Sequence, residues 1–429
     1  MRRTFPAALL TLSVALTAGC DRGAGVVDAG RANAATGPIT IWLSTNQEEQ
    51  TWGRAMTEAW NGRHADQRIT AREIPAGRSS EEVIAAAITA GNAPCLIFNT
   101  APAAVPQFQK QGGLVPLDSF EGGARYIADR SGETAEQYKS PDGRYYQLPW
   151  KSNPVMIFYN KEIFAHAGLD PEKPALATYD GFLTAARAIR SSGAAPAAIY
   201  PAPSSEFFES WFDFYPLFLA ETDGTQLVRD GKAQFDTPQG RAVADFWKTL
   251  YDEGLAPKEQ YTGDSFADGK AAMAIVGPWA VEVYRDKVAW GAVPVPTSAG
   301  KPPGQITTFS DAKNAAMYTA CRNRATAWQV LKFATSRDQD GKLLDATGQM
   351  PLRRNLPATF PGYFARHAAY RQFADQAART GEVPNVPNSV AIWQTFRDAY
   401  CQSVIFGKRP VAAAFAGAAE KVDRLAGGS

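Results

Sequence analysis

An α/β protein of two lobes is what this sequence predicts, on three observations. The 429 residues are about three times the roughly 150 of a usual domain. From residue 39 short β-like runs alternate with helix-like ones, and the same alternation restarts near Pro149. Such alternation implies βαβ units around largely parallel sheets. With 45% hydrophobic and 20% charged residues, the composition is globular rather than disordered or fibrous.

Residues 1–19 come first: Arg2 and Arg3, an apolar run from Phe5 to Leu16, then small residues before Cys20. This reads as a secretory signal peptide, too short to span a membrane. Leu16-Thr17-Ala18-Gly19-Cys20 resembles a bacterial lipobox with its leucine one place early; the alternative is a plain signal peptide with a chance Cys. Residues 20–37 are small and polar, as expected of a lipidated Cys followed by a flexible tether. Ile39 to Leu43 is a strand candidate, and Trp52, Ala55, Met56 and Trp60 then fall at helical spacing. Arg68 to Ile74 follows as a strand, Ser80 to Ala90 as a helix opened by Ser79 or Ser80, and Cys95 to Phe98 as a strand. The second alternating region offers a strand at Val155 to Tyr159, a helix at Tyr179 to Ile189 and a strand at Ala197 to Tyr200. Val243, Phe246, Trp247 and Leu250 then mark a helix, before strands at Ala272 to Val276 and Trp290 to Val295. The last third is mostly helical, closing on Val411, Phe415, Ala418, Val422 and Leu425 at helical spacing.

Charge and motif content exclude several functions. Lys plus Arg number 44 against 43 Asp plus Glu, a net charge of +1, so the basic excess of a nucleic-acid binder is missing. Three His, four Cys and no Cys-x-x-Cys pair leave no compact metal-ligand spacing, and neither a metal nor a cofactor is expected. Gly263 to Ala271 imitates a phosphate-binding loop, but five residues separate its glycines where four are needed, and Ala271 stands where a hydroxyl is required. No G-x-S-x-G, H-E-x-x-H or post-strand G-x-G-x-x-G is present. Glycoside hydrolysis stays open, since its two acids can come from distant loops. Aromatic content is high, with 10 Trp, 15 Tyr and 23 Phe. Sugars offer flat C–H faces to rings and hydroxyls to amides and acids, so these rings either line a carbohydrate site or fill cores.

Four blocks carry a resemblance. Tyr145 to Leu169 (YYQLPWKSNPVMIFYNKEIFAHAGL), Phe266 to Tyr284 (FADGKAAMAIVGPWAVEVY), Ala327 to Arg353 (AWQVLKFATSRDQDGKLLDATGQMPLR) and Pro384 to Phe396 (PNVPNSVAIWQTF) occur in that order. They resemble the solute-binding lipoproteins of bacterial ABC importers, the maltose-binding-protein-like family, and the likeness covers nearly all of residues 38 to 426. It implies a two-lobed periplasmic-binding-protein-like fold with hinge crossings and a ligand cleft. The implied first lobe is 38–150 plus 308–355, and the second is 151–307 plus 356–429. The implied function is a non-catalytic extracellular receptor, monomeric and held to the membrane by lipid at Cys20. It delivers a neutral sugar or oligosaccharide to the permease subunits of an ABC importer.

Position by position, Trp279 and Trp393 match the family's stacking tryptophans. Asn46 and Gln47 stand where its sugar binders present an acid and a base, Asn99 where maltose binders have an aromatic, and Asn153 where they have an acid. These departures separate the chain from maltose binders. Phe212, Asp213 and Tyr215 fall in the second aromatic loop, with Asp213 either a hydroxyl acceptor or a solvated loop acid. Asp311 follows the second crossing with the same two readings, and Arg397 either donates to a hydroxyl or braces its helix. The resemblance also implies neighbouring antiparallel strands that pair Cys95 with Cys321, leaving Cys401 free in a helix. Two rival functions remain: a receptor for glycerol phosphate esters, using Lys151, Arg353 or Arg354, and a secreted glycoside hydrolase.

Overall fold

The computed structural model describes residues 29–77, 79–201, 203–204 and 206–427; the expected signal peptide, residues 1–19, and Cys20 lie outside them. Nine strands form two main sheets: β1 (Ile39–Leu43), β2 (Ile69–Glu73), β3 (Leu96–Thr100), β4 (Leu148–Lys151), β5 (Met156–Asn160), β6 (Ala197–Ile199), β7 (Ala271–Val276), β8 (Trp290–Val293) and β9 (Lys313–Met317). The first sheet runs β2-β1-β3-β9-β4 and the second β8-β5-β7-β6. In the first, β1 is parallel to β2 and β3, while β9 is antiparallel to β3 and β4. In the second, β5 is antiparallel to both β7 and β8, and β6 is parallel to β7. The expected largely parallel sheets are therefore mixed. A parallel neighbour needs a crossover connection, and β5 and β9 have none within their sheets because each enters from the other sheet.

The first core forms under the helix Gln47–Asn61, which Asn46 caps by accepting the Glu49 N–H at 2.9 Å. Trp52, Met56 and Trp60 recur at helical spacing and are buried, with Trp52 against Phe98 at 5.9 Å and Trp150 at 5.3 Å. The second core is richer in rings. Phe214 packs on Phe396 at 4.8 Å, and Phe396 on Phe415 at 5.6 Å, joining the helices Phe214–Glu221, Ser389–Tyr400 and Val411–Ala426.

Part of the expected tether is ordered. Ala29–Ala34 is helical, with Ala32 buried, and Arg324 Nη1 donates to Asn33 Oδ1 at 3.3 Å. Four of its six residues are Ala or Gly, small enough to lie close on the helix Arg324–Ala334, and alanine is the best intrinsic helix former.

Cys95 and Cys321 are disulfide-bonded with Cα atoms 4.5 Å apart, across 226 positions of sequence. Neither lies inside a strand as expected: Cys95 precedes β3 and Cys321 lies beyond β9. Tyr318 N donates to Cys95 O at 3.1 Å, extending the antiparallel pairing far enough to bring the sulfurs together. Cys401 is free and opens a short π-helical turn, Cys401–Ile405, after its α-helix.

Candidate functional site

Three segments meet where the chain passes between the sheets. Ser152 N donates to Met350 O at 2.9 Å and Asn153 N to Ser310 O at 2.6 Å, so 151–153, 308–312 and 350–352 are laced by backbone hydrogen bonds. Buried polar groups support them. Glu49 accepts from Ser44 Oγ at 2.7 Å and Gln349 Nε2 at 2.9 Å, and it is ion-paired with Lys151, itself 1% exposed. Burial works against the Glu49 carboxylate, but the Lys151 ammonium and these donors outweigh it and hold its pKa below the ordinary value. Glu382 accepts from Ser310 Oγ, from Ala312 N at 3.1 Å and from Val383 N at 2.8 Å, tying the second crossing to the strand pair Thr308–Phe309 and Thr380–Gly381. Burial pushes its pKa up to about 7 against those three donors.

A cavity of about 410 Å³ lies between the two halves, lined by Ser79, Glu81 and Gln107 on one side and by Glu206, Phe207 and Gln394 on the other. Glu206 is shared with a larger cavity of about 530 Å³ at the C-terminal end of β6 and β7. Rings line that cavity, among them Tyr200, Phe208, Phe212 and Tyr261, together with the acids Glu209 and Asp213.

Of the ligand residues expected from the sequence, Phe212 and Asp213 line this larger cavity. Trp279 is partly exposed and meets Phe212 edge-on at 6.1 Å and 89°. A Cβ on Gly277 would lie 2.1 Å from the Trp279 ring, so a larger residue there would have to displace the ring. Trp393 is elsewhere. It is fully buried, edge-on to Trp211 at 5.6 Å and to Tyr215 at 4.9 Å, because Ile392, Trp393, Phe396 and Tyr400 form the inward face of their helix. The stacking surface expected of Trp393 is therefore corrected to a core position. Tyr215 is corrected likewise: it is fully buried and its hydroxyl donates to Glu382 O at 2.8 Å.

Asn46 and Gln47 are exposed at the start of their helix, and Asn46 spends its Oδ1 on the cap. Asn99 is partly exposed near the end of β3, with φ of +108°. Asn153 is buried and its amide donates to Gln349 Oε1 at 3.2 Å, so it braces the crossing. Asp311 pairs with Lys313 at 3.1 Å, and burial raises its pKa although Lys313 opposes the shift. Arg397 pairs with Asp398 at 2.8 Å. Two of the three cations considered for phosphate are engaged, Lys151 with Glu49 and Arg353 with Asp340 at 2.8 Å, and Arg354 is exposed.

Sequence reasoning missed Glu209 and Glu382. Burial pushes the Glu209 pKa up to about 10, with the nearby Asp213 charge adding to the shift and Arg397 opposing it. Its signal was present as an acid inside the aromatic run Phe207 to Tyr215.

The profile of bacterial extracellular solute-binding proteins matches residues 55–372. The chain belongs to this family. Among curated relatives, a diacetylchitobiose binding protein of Streptomyces coelicolor is 26% identical over 395 residues, covering 88% of this chain and 87% of the relative. A maltodextrin-binding protein of Bacillus subtilis is 24% identical, covering 71% of each chain. Among solved structures, the cyclic α-maltosyl-1,6-maltose binding protein of Arthrobacter globiformis superposes with a TM-score of 0.77 at 22% identity, covering 92% of this chain and 100% of that one. The likeness gives this solute-binding protein the two-lobed architecture of such receptors.

Proposed function

We propose that this protein is a non-catalytic extracellular receptor that captures a sugar or oligosaccharide and hands it to the permease of an ABC importer. The observation that carries the reading is the cavity lined by Tyr200, Phe208, Phe212 and Tyr261, which shares Glu206 with the cavity between the two halves and whose Phe212 is met edge-on by the partly exposed Trp279 ring. Flat rings beside polar groups suit the mixed faces of a pyranose. The names of the chitobiose and maltodextrin receptors among its relatives support the same class. The lobes are proposed as 38–150 plus 308–355 and 151–307 plus 356–429. Membership of β9 in the first sheet, after the second has been built, supports that division. Asn46, Gln47 and Asn99 are proposed as hydroxyl partners from the first lobe. Cys20 is proposed as the lipid anchor of a monomer at the outer face of the membrane, supported by the lipobox-like stretch. A Cys20→Ala chain found with membranes as fully as the unaltered one would remove the anchor.

A thermal-shift screen over a glycan panel tests the central reading. A ligand at 100 times its dissociation constant adds about 2.7 kcal/mol to native stability. Stabilisation by a glycan, its loss in Trp279→Ala, and unaltered glycan afterwards are the expected results. Hydrolysed product after incubation would make the protein an enzyme instead.

A further inference from the structure

One end of the first lobe is strongly basic, although the chain as a whole carries only +1. It is the end at which β1, β2 and β3 begin and β9 finishes. Backbone hydrogen bonds lace it together: Ile39 N donates to Arg68 O at 2.9 Å, Tyr318 N to Cys95 O at 3.1 Å, Thr319 N to Gly113 O at 2.9 Å and Ala325 N to Ala35 O at 3.1 Å. The segments so joined, 29–40, 61–69, 91–95, 110–114 and 318–326, hold six cations, Arg31, Arg63, Arg68, Lys110, Arg322 and Arg324, against one acid, Asp66. Arg324 is buried and the other five are exposed. Glu58 and Glu73, the acids flanking residues 61–69, lie a helical turn and a strand length away, and Asp118, after Leu114, is paired with Arg144. The helix Ala29–Ala34 sits at this same end, against the helix Arg324–Ala334. Cys20 is nine residues before Ala29, so at about 3.5 Å per residue it can stand no more than roughly 30 Å from the basic surface. The stretch between adds Asp21, Arg22 and Asp28, a net −1 that leaves the excess standing.

Resting on the proposed anchor at Cys20, we propose that this basic end of the first lobe is a docking surface for the anionic phospholipid headgroups of the membrane that holds the lipid. Arg63, Arg68, Lys110 and Arg322 supply exposed positive charge, and the short tether supplies proximity. Surface charge is felt over a Debye length of about 10 Å at 0.1 M salt, so cations kept within reach of the headgroups are attracted and distant ones are not. The placement also orients the receptor. Ser79, Glu81 and Gln107, which face the second half of the molecule, follow the opposite ends of β2 and β3. With the basic end on the membrane, the gap between the lobes lies on the side away from it, where solute arrives.

The experiment measures sedimentation of residues 21–429, which carry no lipid, with vesicles of phosphatidylcholine alone and of phosphatidylcholine mixed with phosphatidylglycerol. At about 10 mM salt, where the Debye length is about 30 Å, the chain should bind the mixed vesicles; at about 1 M, where it is about 3 Å, the chain should come off them. Arg63→Gln, Arg68→Gln and Arg322→Gln together should weaken that binding roughly 100-fold, about fivefold per charge. Arg229→Gln, Lys287→Gln and Arg409→Gln together remove the same net charge from exposed positions of the second lobe and should weaken it far less. An unchanged urea midpoint shows that the first variant is folded, and the salt and lipid comparisons on the unaltered chain stand without it. In the lipidated protein, trypsin cleavage after Arg63, Arg68 and Arg322 should be slower on mixed vesicles than on phosphatidylcholine ones. The proposal is overturned by equal binding to both kinds of vesicle, by no binding at low salt, by equal weakening in the two variants, or by tighter binding to soluble polyphosphate than to the mixed vesicles. A failed anchor shows separately, as Cys20 without lipid in the mass spectrum, and the lipid-free vesicle result then decides the basic surface by itself.

Discussion

Truncating Trp393 separates a core ring from a ligand platform. The ring is fully buried between Trp211, Tyr215 and Phe396, at centroid distances of 5.6, 4.9 and 6.2 Å. A Trp side chain buries roughly 200 Å², and at about 25 cal/mol per Å² its removal forfeits on the order of 5 kcal/mol. Measured Trp-to-Ala losses in cores run at about 3 to 5 kcal/mol, and this site is hemmed in by rings that cannot easily collapse into the gap. Trp393→Ala should thus move the urea midpoint of the second-lobe transition far below that of the unaltered protein. Trp279→Ala should move it little, because that ring is already partly in water. Urea unfolding and ligand calorimetry on both variants provide the check. Unchanged unfolding of Trp393→Ala together with lost ligand binding would return that ring to the ligand surface and refute its place in the core.

Two further outcomes follow from buried groups. Glu382 has a folded pKa of about 7 against 4.5 for the free group, so the native state holds more protons than the unfolded one between those values. Its contribution to stability is complete below about pH 4.5 and is lost as pH rises through 7, a change of about 3 kcal/mol; Glu382→Gln should flatten this part of a Tm-against-pH profile. Asp213, also held at about 7 by burial, acts in the same direction, so the variant keeps a residual slope, and an unchanged profile would show that Glu382 is not the group responsible. The Cys95–Cys321 bridge closes a loop spanning 226 positions, worth about 5 kcal/mol in the chain-entropy model. Cys95→Ser should lower Tm without reductant, and peptide mapping of the unaltered protein should find Cys401 as a free thiol.

The strands and helices were legible because their signals are local. Asn46 before an apolar period, Thr178 ahead of the helix Tyr179–Ser192 and Gly193 after it all mark ends by hydrogen bonds and a left-handed φ that act over a few residues. Sheet order was not local. That β5 and β9 run antiparallel to their neighbours depends on the chain leaving one lobe for the other, which no window of sequence records. The charged support of the crossings was hidden for the same reason: Glu49 and Lys151 are 102 positions apart and Ser310 and Glu382 are 72 apart. In sequence Glu49 and Glu382 look like ordinary surface charges.

Family likeness placed Trp279 and Trp393 in one class, yet burial divides them. A ring can serve a ligand only if the fold leaves part of it unsatisfied, and the helix geometry around Trp393 leaves nothing open except an indole N–H facing the core. Gly277 does the opposite for Trp279, letting the ring lie over a bare backbone while one side of it stays in solvent. What separates a ligand ring from a core ring in this chain is therefore the face that the fold leaves open, present on Trp279 and absent from Trp393.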